Sequence, residues 1–282
     1  MTPGGPTVGV FDAGIGGLPA AALLLAAVPG VTIDYLADSG RRPYGPQPAG
    51  AVAGYVAEAE QFFSDRACDL WVIACNTASV VASGALRGSL PHVDMVSAVV
   101  AAAPPPAAGP IGVLGTAGTV ASRAYEHALP AHSVHQVATE ELLRHAEEGG
   151  LGDDRRARDL ARQAMREVRA AGCTSVVLAC TDFSCVLPLM TEAAEGLPLL
   201  DPVDAAVDAA VALMGRAEAG PAAPLRGSSD GHRLHLTGPH PVDVPALAAH
   251  GYGLHFTHVT SGPLRPVPAP HPSSSEEERL HV

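Results

Sequence analysis

Two short apolar runs, Val8 to Phe11 and Ile111 to Leu114, read as strands. Each ends in a turn-rich stretch, Asp12-Ala13-Gly14-Ile15-Gly16-Gly17 in the first case and Gly115-Thr116-Ala117-Gly118-Thr119 in the second. Helical segments are predicted next, over Leu18 to Ala27 and Val120 to Leu129. A second pair of segments is sharper. Trp71-Val72-Ile73-Ala74-Cys75-Asn76-Thr77 matches Val176-Val177-Leu178-Ala179-Cys180-Thr181-Asp182, each an apolar strand that delivers a cysteine at its carboxyl end. The first pair is separated by 103 positions and the cysteines by 105, so two independent similarities share nearly one offset. A duplication accounts for this.

With helical segments at Ala51 to Phe63 and Asp154 to Ala171 between the strands, the expected fold is α/β: two similar domains with parallel sheets flanked by helices. The first is expected to span residues 7–98 plus 205–262 and the second 99–204. The Ala103-Pro104-Pro105-Pro106 stretch makes the crossing, and Pro198 to Asp208 and Arg233 to Thr237 bring the chain back. The tail 263–282, rich in Pro, Ser and Glu, reads as disordered. Ligands of open parallel sheets lie beyond the carboxyl ends of the strands, so both cysteines are expected in one interdomain cleft, which is the expected active site.

Composition narrows the chemistry. A net charge of -12 argues against a polyanion-binding surface, so no nucleic-acid partner is expected. Every apolar run is broken by charge, Gly or Pro before it reaches a membrane span, and nothing resembles a secretory leader; a cytoplasmic location without membrane association is the expectation. Five cysteines, an odd and sparse set, read as free thiols. All 17 basic residues are arginine. Without lysine there is no internal Schiff base to pyridoxal phosphate and no P-loop lysine.

Two cysteines flanking a substrate suit removal of an α-proton from one face and its return to the other, with a thiolate as base and a thiol as acid. Cys68, Cys173 and Cys185 lack the matched context and read as packing residues. The loop at Gly14 fails the dinucleotide pattern because Pro19 stands where the last glycine is required. His232 with His235, and His255 with His258, fall in strand-like or loop-like segments and read as structural or solvated, so no metal site is expected. The arginines from Arg155 to Arg169 read as the exposed face of a helix.

The ordered series Val8-Gly9-Val10-Phe11-Asp12, Gly14, Gly16-Gly17, Asp38, Arg41, Pro43-Tyr44-Gly45, Ala74-Cys75-Asn76-Thr77-Ala78-Ser79, Gly115-Thr116, Thr119-Val120, Glu147-Glu148-Gly149, Ala179-Cys180-Thr181 and Leu236-Thr237-Gly238 resembles the aspartate and glutamate racemase family, glutamate racemase most closely. The resemblance implies a cofactor-independent amino-acid racemase acting on a small-molecule amino acid. It admits a homodimer, and it gives the D-amino acid a destination in peptidoglycan biosynthesis. Carried over residue by residue, it implies Cys75 and Cys180 as the catalytic thiols, with Asp12 and Glu147 assisting proton transfer. Ala13, Tyr44, Gly45, Asn76, Thr77, Thr116, Thr119, Thr181 and Asp182 then fall at substrate-binding positions. Two positions depart from the family pattern: Ala13 stands where Ser is usual, and Asp182 where His is usual. A carboxylate beside Cys180 raises its thiol pKa where an imidazolium lowers it, and it opposes an anionic substrate side chain. A racemase, isomerase or decarboxylase acting on a different amino or carboxylic acid, and a catalytically impaired amino-acid-binding homologue, are therefore the alternatives.

Overall fold

The computed structural model describes residues 5–147, 155–219 and 231–267. The chain begins β1 (Thr7–Asp12), α1 (Leu18–Ala27), β2 (Thr32–Ala37), α2 (Ala49–Asp65), β3 (Leu70–Ile73), α3 (Asn76–Ala85), β4 (His92–Asp94) and α4 (Met95–Ala102). It continues through β5 (Ile111–Gly115), α5 (Ala117–Ser122), α6 (Ala124–Ala128), β6 (Val134–Ala138), α7 (Glu140–Glu147), α8 (Arg155–Ala170), β7 (Ser175–Ala179), α9 (Leu187–Ala194) and β8 (Leu199–Leu200). It closes with α10 (Pro202–Ala219), β9 (His232–Leu236), α11 (Val244–Tyr252) and β10 (Phe256–Ser261). Asp154, Glu148, Gly149 and residues 268–282, on which sequence expectations fell, lie outside the described residues.

Two sheets form, a six-stranded one in the order β10-β9-β2-β1-β3-β4 and a four-stranded one in the order β6-β5-β7-β8. All their pairings are parallel. The core of the first, β2-β1-β3-β4, repeats in the second as β6-β5-β7-β8, strand for strand in chain order. Strands β1, β3, β5 and β7 are buried along their whole length, as continuous apolar runs in a helix-covered parallel sheet should be. The extension β9-β10 has no counterpart in the second sheet. Leu234 of β9 joins the core that α1 and α10 build against the first sheet, with Leu24, Val203 and Val207. Helices α8 and α9 cover the second sheet through Ala161, Met165, Val168 and Met190.

The helix expected over Val120 to Leu129 is broken. Arg123 adopts a left-handed conformation (φ 52°, ψ 22°) and separates α5 from α6. The break is hydrogen-bonded locally: the Ser122 hydroxyl accepts from the Ala124 N–H at 3.1 Å and donates to the Thr119 carbonyl at 2.6 Å. The exposed arginines of α8 pair outward, Arg156 with Glu141 and Arg162 with Glu192. His232 accepts from the Ile33 N–H at 3.1 Å, while His235 bonds the Thr260 hydroxyl and the Gly262 carbonyl oxygen, each at 2.8 Å. Cys68 and Cys173 are buried, and Cys185 is half-buried between two apolar clusters. Among the described residues no helix is long and apolar enough to cross a membrane.

Candidate active site

Register fixes where the site forms. Phe11 lies beside Leu36 and Ile73, so β1, β2 and β3 finish together and release Asp12, Asp38 and Cys75 at one edge. In the second sheet Gly115 aligns with Ala179, so Thr116 and Cys180 leave β5 and β7 side by side. The two edges enclose a cavity of about 80 Å3.

Cys75 and Cys180 both line this cavity. Cys75 is also the N-cap position of α3, and the nearby backbone N–H groups of Ala78 and Ala13 act to lower its pKa. Cys180 stands at the start of the 3₁₀ turn Thr181–Val186, where the Asp182 N–H acts in the same direction. Donors at helix starts favour thiolates. Burial acts more strongly in the opposite direction and pushes both thiols up, assisted at Cys75 by the charges of Asp12 and Asp182, and at Cys180 by that of Asp182. Both environments therefore favour the thiol over the thiolate. The Cys180 thiol donates to Asp182 Oδ2 at 3.4 Å, an interaction available only to the protonated sulfur.

Asp12 is almost fully buried, and burial raises its pKa against the Gly14 N–H at 2.6 Å and the Thr181 hydroxyl at 3.1 Å, both of which donate to it. The Thr181 bond ties one sheet's edge to the other. Glycines permit this approach: a Cβ on Gly16 would stand 2.3 Å from Thr181 Oγ1, and one on Gly118 would stand 2.6 Å from the Gly45 carbonyl oxygen. The Pro43-Tyr44-Gly45 loop is anchored by Asp38, fully buried, which accepts from Tyr44 OH, Thr237 OH and the Arg41 guanidinium.

Of the positions singled out in the sequence, Asp12, Ala13, Tyr44, Gly45, Cys75, Thr77, Thr116, Cys180, Thr181 and Asp182 line the cavity. Thr119 and Asn76 stand behind its wall. Thr77 shares a hydrogen bond with Thr116 at 3.0 Å, and Thr116 donates to Thr119 at 3.1 Å. Asn76 accepts from Tyr125 OH at 2.5 Å, and its buried Nδ2 has no partner among the described residues. Glu147 is the last residue of α7, and its side chain lies outside what the structure describes. Four charged or polar lining residues escaped the sequence reading: Arg42, Glu140, Arg144 and His240. Arg42 was adjacent to a motif and His240 two residues beyond one, and proximity to a motif was the only signal for either.

The family model for Asp/Glu/hydantoin racemase matches residues 30–210. The chain belongs to that family. It is 33% identical over 193 residues to the glutamate racemase of Corynebacterium diphtheriae, a match covering 65% of this chain and 70% of that one. Crystal structures agree with the fold. Glutamate racemase isoform RacE1 from Bacillus anthracis superposes with a TM-score of 0.79 at 25% identity, covering 94% of this chain and 99% of that chain. Glutamate racemase from Francisella tularensis in complex with D-glutamate gives 0.78 at 22% identity, covering 90% and 96% respectively. The family membership makes this protein an isomerase of the racemase class.

Proposed function

We propose that the protein racemises glutamate without a cofactor, by passing the α-proton between Cys75 and Cys180 across the cleft. The observation that carries this reading is the pair of thiols lining one cavity, each at the carboxyl end of an equivalent strand of the two sheets. Glutamate follows from the relatives at about one-third identity, which are glutamate racemases.

In the proposed reaction one cysteine, as thiolate, takes the α-proton, and the electron pair left on the α-carbon delocalises into the adjacent carboxylate. The opposite cysteine, as thiol, delivers its proton to the other face and is left as the thiolate. The roles reverse for the other enantiomer, so atoms and charge balance in each direction. Asp12 and Glu147 are proposed to assist at the two thiols. The hydroxyls of Thr77, Thr116, Thr119 and Thr181, the Asn76 amide, Tyr44 and the backbone at Ala13 and Gly45 are proposed to hold carboxylates and ammonium. The two lobes are proposed to be residues 7–98 with 205–262, and residues 99–204. A cytoplasmic location, where thiols stay reduced, suits five cysteines that are all free.

The test is racemisation followed by circular dichroism for the wild type, Cys75→Ala and Cys180→Ala. Loss of a positioned acid or base costs about 10²- to 10⁴-fold. Each variant is expected to lose at least that much in both directions, and near-normal racemisation by either one overturns the mechanism.

A further inference from the structure

His240 enters the cavity from the loop after β9, remote in sequence from every other side chain on that wall. Its ring orientation is set by the backbone: Nδ1 accepts from the Val242 N–H at 3.1 Å. A ring nitrogen that accepts carries no proton, so in the neutral imidazole the proton is on Nε2. Burial, reinforced by the Arg42 charge, pulls the His240 pKa down to about 4, which keeps the ring neutral through the physiological range. Nε2 is directed at Gly14, itself a lining residue, and lies 3.1 Å from where a Cβ on that glycine would stand. A side chain on that glycine would crowd the imidazole, and Asp12 Oδ1 lies 3.9 Å from the same point.

Arg42 lines the same cavity and is close enough to depress the imidazole's basicity and to draw down that of Asp12. The first-sheet wall therefore carries a neutral N–H donor and a permanent cation together. The Asp12 carboxylate nearby already accepts from the Gly14 N–H and the Thr181 hydroxyl. Across the cavity, Asp182 and Glu140 contribute negative charge, with Arg144 beside them. An anionic group on the ligand is repelled by Asp182 and Glu140, and on the first-sheet wall it meets the Asp12 carboxylate as well as Arg42, so it is held there only where the guanidinium and the imidazole N–H together outweigh Asp12.

We infer that His240 is a specificity-determining residue whose Nε2–H, beside the Arg42 guanidinium, holds the distal carboxylate of an acidic amino acid on the first-sheet wall. This supplies the side-chain recognition that Asp182 cannot give to an anion. It rests on the racemase reading for its substrate class, and a binding measurement keeps the two separable.

The experiment is isothermal titration calorimetry of the full chain with glutamate and with norvaline, which replaces the distal carboxylate by a methyl group. His240→Phe keeps a ring and deletes the donor, and His240→Gln keeps a donor at similar reach. Arg42→Met probes the same wall independently and serves if His240→Phe does not fold. Losing a hydrogen bond to a charged group weakens binding by roughly ten- to hundred-fold. His240→Phe and Arg42→Met are expected to lose that much affinity for glutamate and none for norvaline, while His240→Gln stays within a few-fold of wild type. Saturated turnover on glutamate is expected to change little in His240→Phe while KM rises. Unchanged glutamate affinity in His240→Phe, equal losses for both ligands, or a wild type that binds norvaline as well as glutamate would each overturn the inference. Selective glutamate binding by a wild type that exchanges no α-proton contradicts the racemase reading and leaves this recognition standing.

Discussion

Asp182 sets the chemistry of the second thiol. It accepts a hydrogen bond from Cys180 at 3.4 Å, and its charge adds to burial in holding that sulfur protonated. At Cys75 the N–H groups of Ala78, in the first turn of α3, and of Ala13, in the loop after β1, act in the opposite direction, so the two thiols are unequal bases. Because racemisation has an equilibrium constant of unity, kcat/KM must be equal in both directions, and the inequality is confined to kcat and KM separately. Two consequences follow from thiols whose pKa is raised. The thiolate fraction grows as pH rises toward the thiol range, so kcat/KM should climb from neutral into alkaline pH. Asp182→Asn removes the like charge, so it should move that rising limb to lower pH and narrow the difference in kcat between the enantiomers. Steady-state kinetics from pH 6 to 10 on both enantiomers checks this, and equal wild-type turnover that Asp182→Asn leaves unaltered contradicts it. Asp182 was legible in the sequence because it stands two residues after Cys180, directly after Thr181. His240 was not, since nothing in Gly238-Pro239-His240 says that the loop folds back over Gly14.

Elements determine how closely the two edges meet. Helix α5 approaches the Pro43-Tyr44-Gly45 loop so tightly that Gly118 has no room for a Cβ beside the Gly45 carbonyl oxygen. Gly45 in turn abuts Thr116 and Glu140. Alanine at position 118 improves the intrinsic helix preference of α5 by about 1 kcal/mol, so a loss of function there is not a loss of helix. The obstruction falls between the lobes, and Gly118→Ala should hold the cleft ajar. A misplacement near 1 Å can cost on the order of 10²-fold. The expected outcome is a fall of that order in kcat/KM with little change in thermal midpoint; unchanged activity would show that the contact does not control closure. The break at Arg123 is a further element-scale feature that the sequence concealed. The apolar spacing of Val120, Tyr125 and Leu129 is compatible with one helix, whereas at the left-handed turn Ser122 bonds the Thr119 carbonyl and the Ala124 N–H.

At the scale of the molecule, the duplication was readable because buried parallel strands leave continuous apolar runs, and two such runs recur at one offset. The structure returns it as a repeated strand order, with β1 and β5 equivalent and with β3 and β7 each followed by a cysteine. The extension β9-β10 was only partly legible. His232–Leu236 is strand-like in sequence, yet its place beside β2 depends on α10 carrying the chain back across the first sheet, a packing choice made by Val203, Ala206 and Val207 against Leu24 and Leu234. That extension also delivers Thr237 to Asp38 and His240 to the cavity, so the asymmetric part of the fold supplies site residues that the repeat alone lacks. The repeat brings two thiols to the lining of one cavity, and the central claim is that they act together on opposite faces of one α-carbon. The direct measurement is early-time hydrogen exchange with each enantiomer of glutamate in D2O, resolving the label in product from that in recovered substrate. Two opposed thiols predict that product carries deuterium at the α-carbon from the first turnovers while recovered substrate still carries protium, in both directions. Deuterium entering recovered substrate as fast as product, or product retaining its protium, would contradict the account.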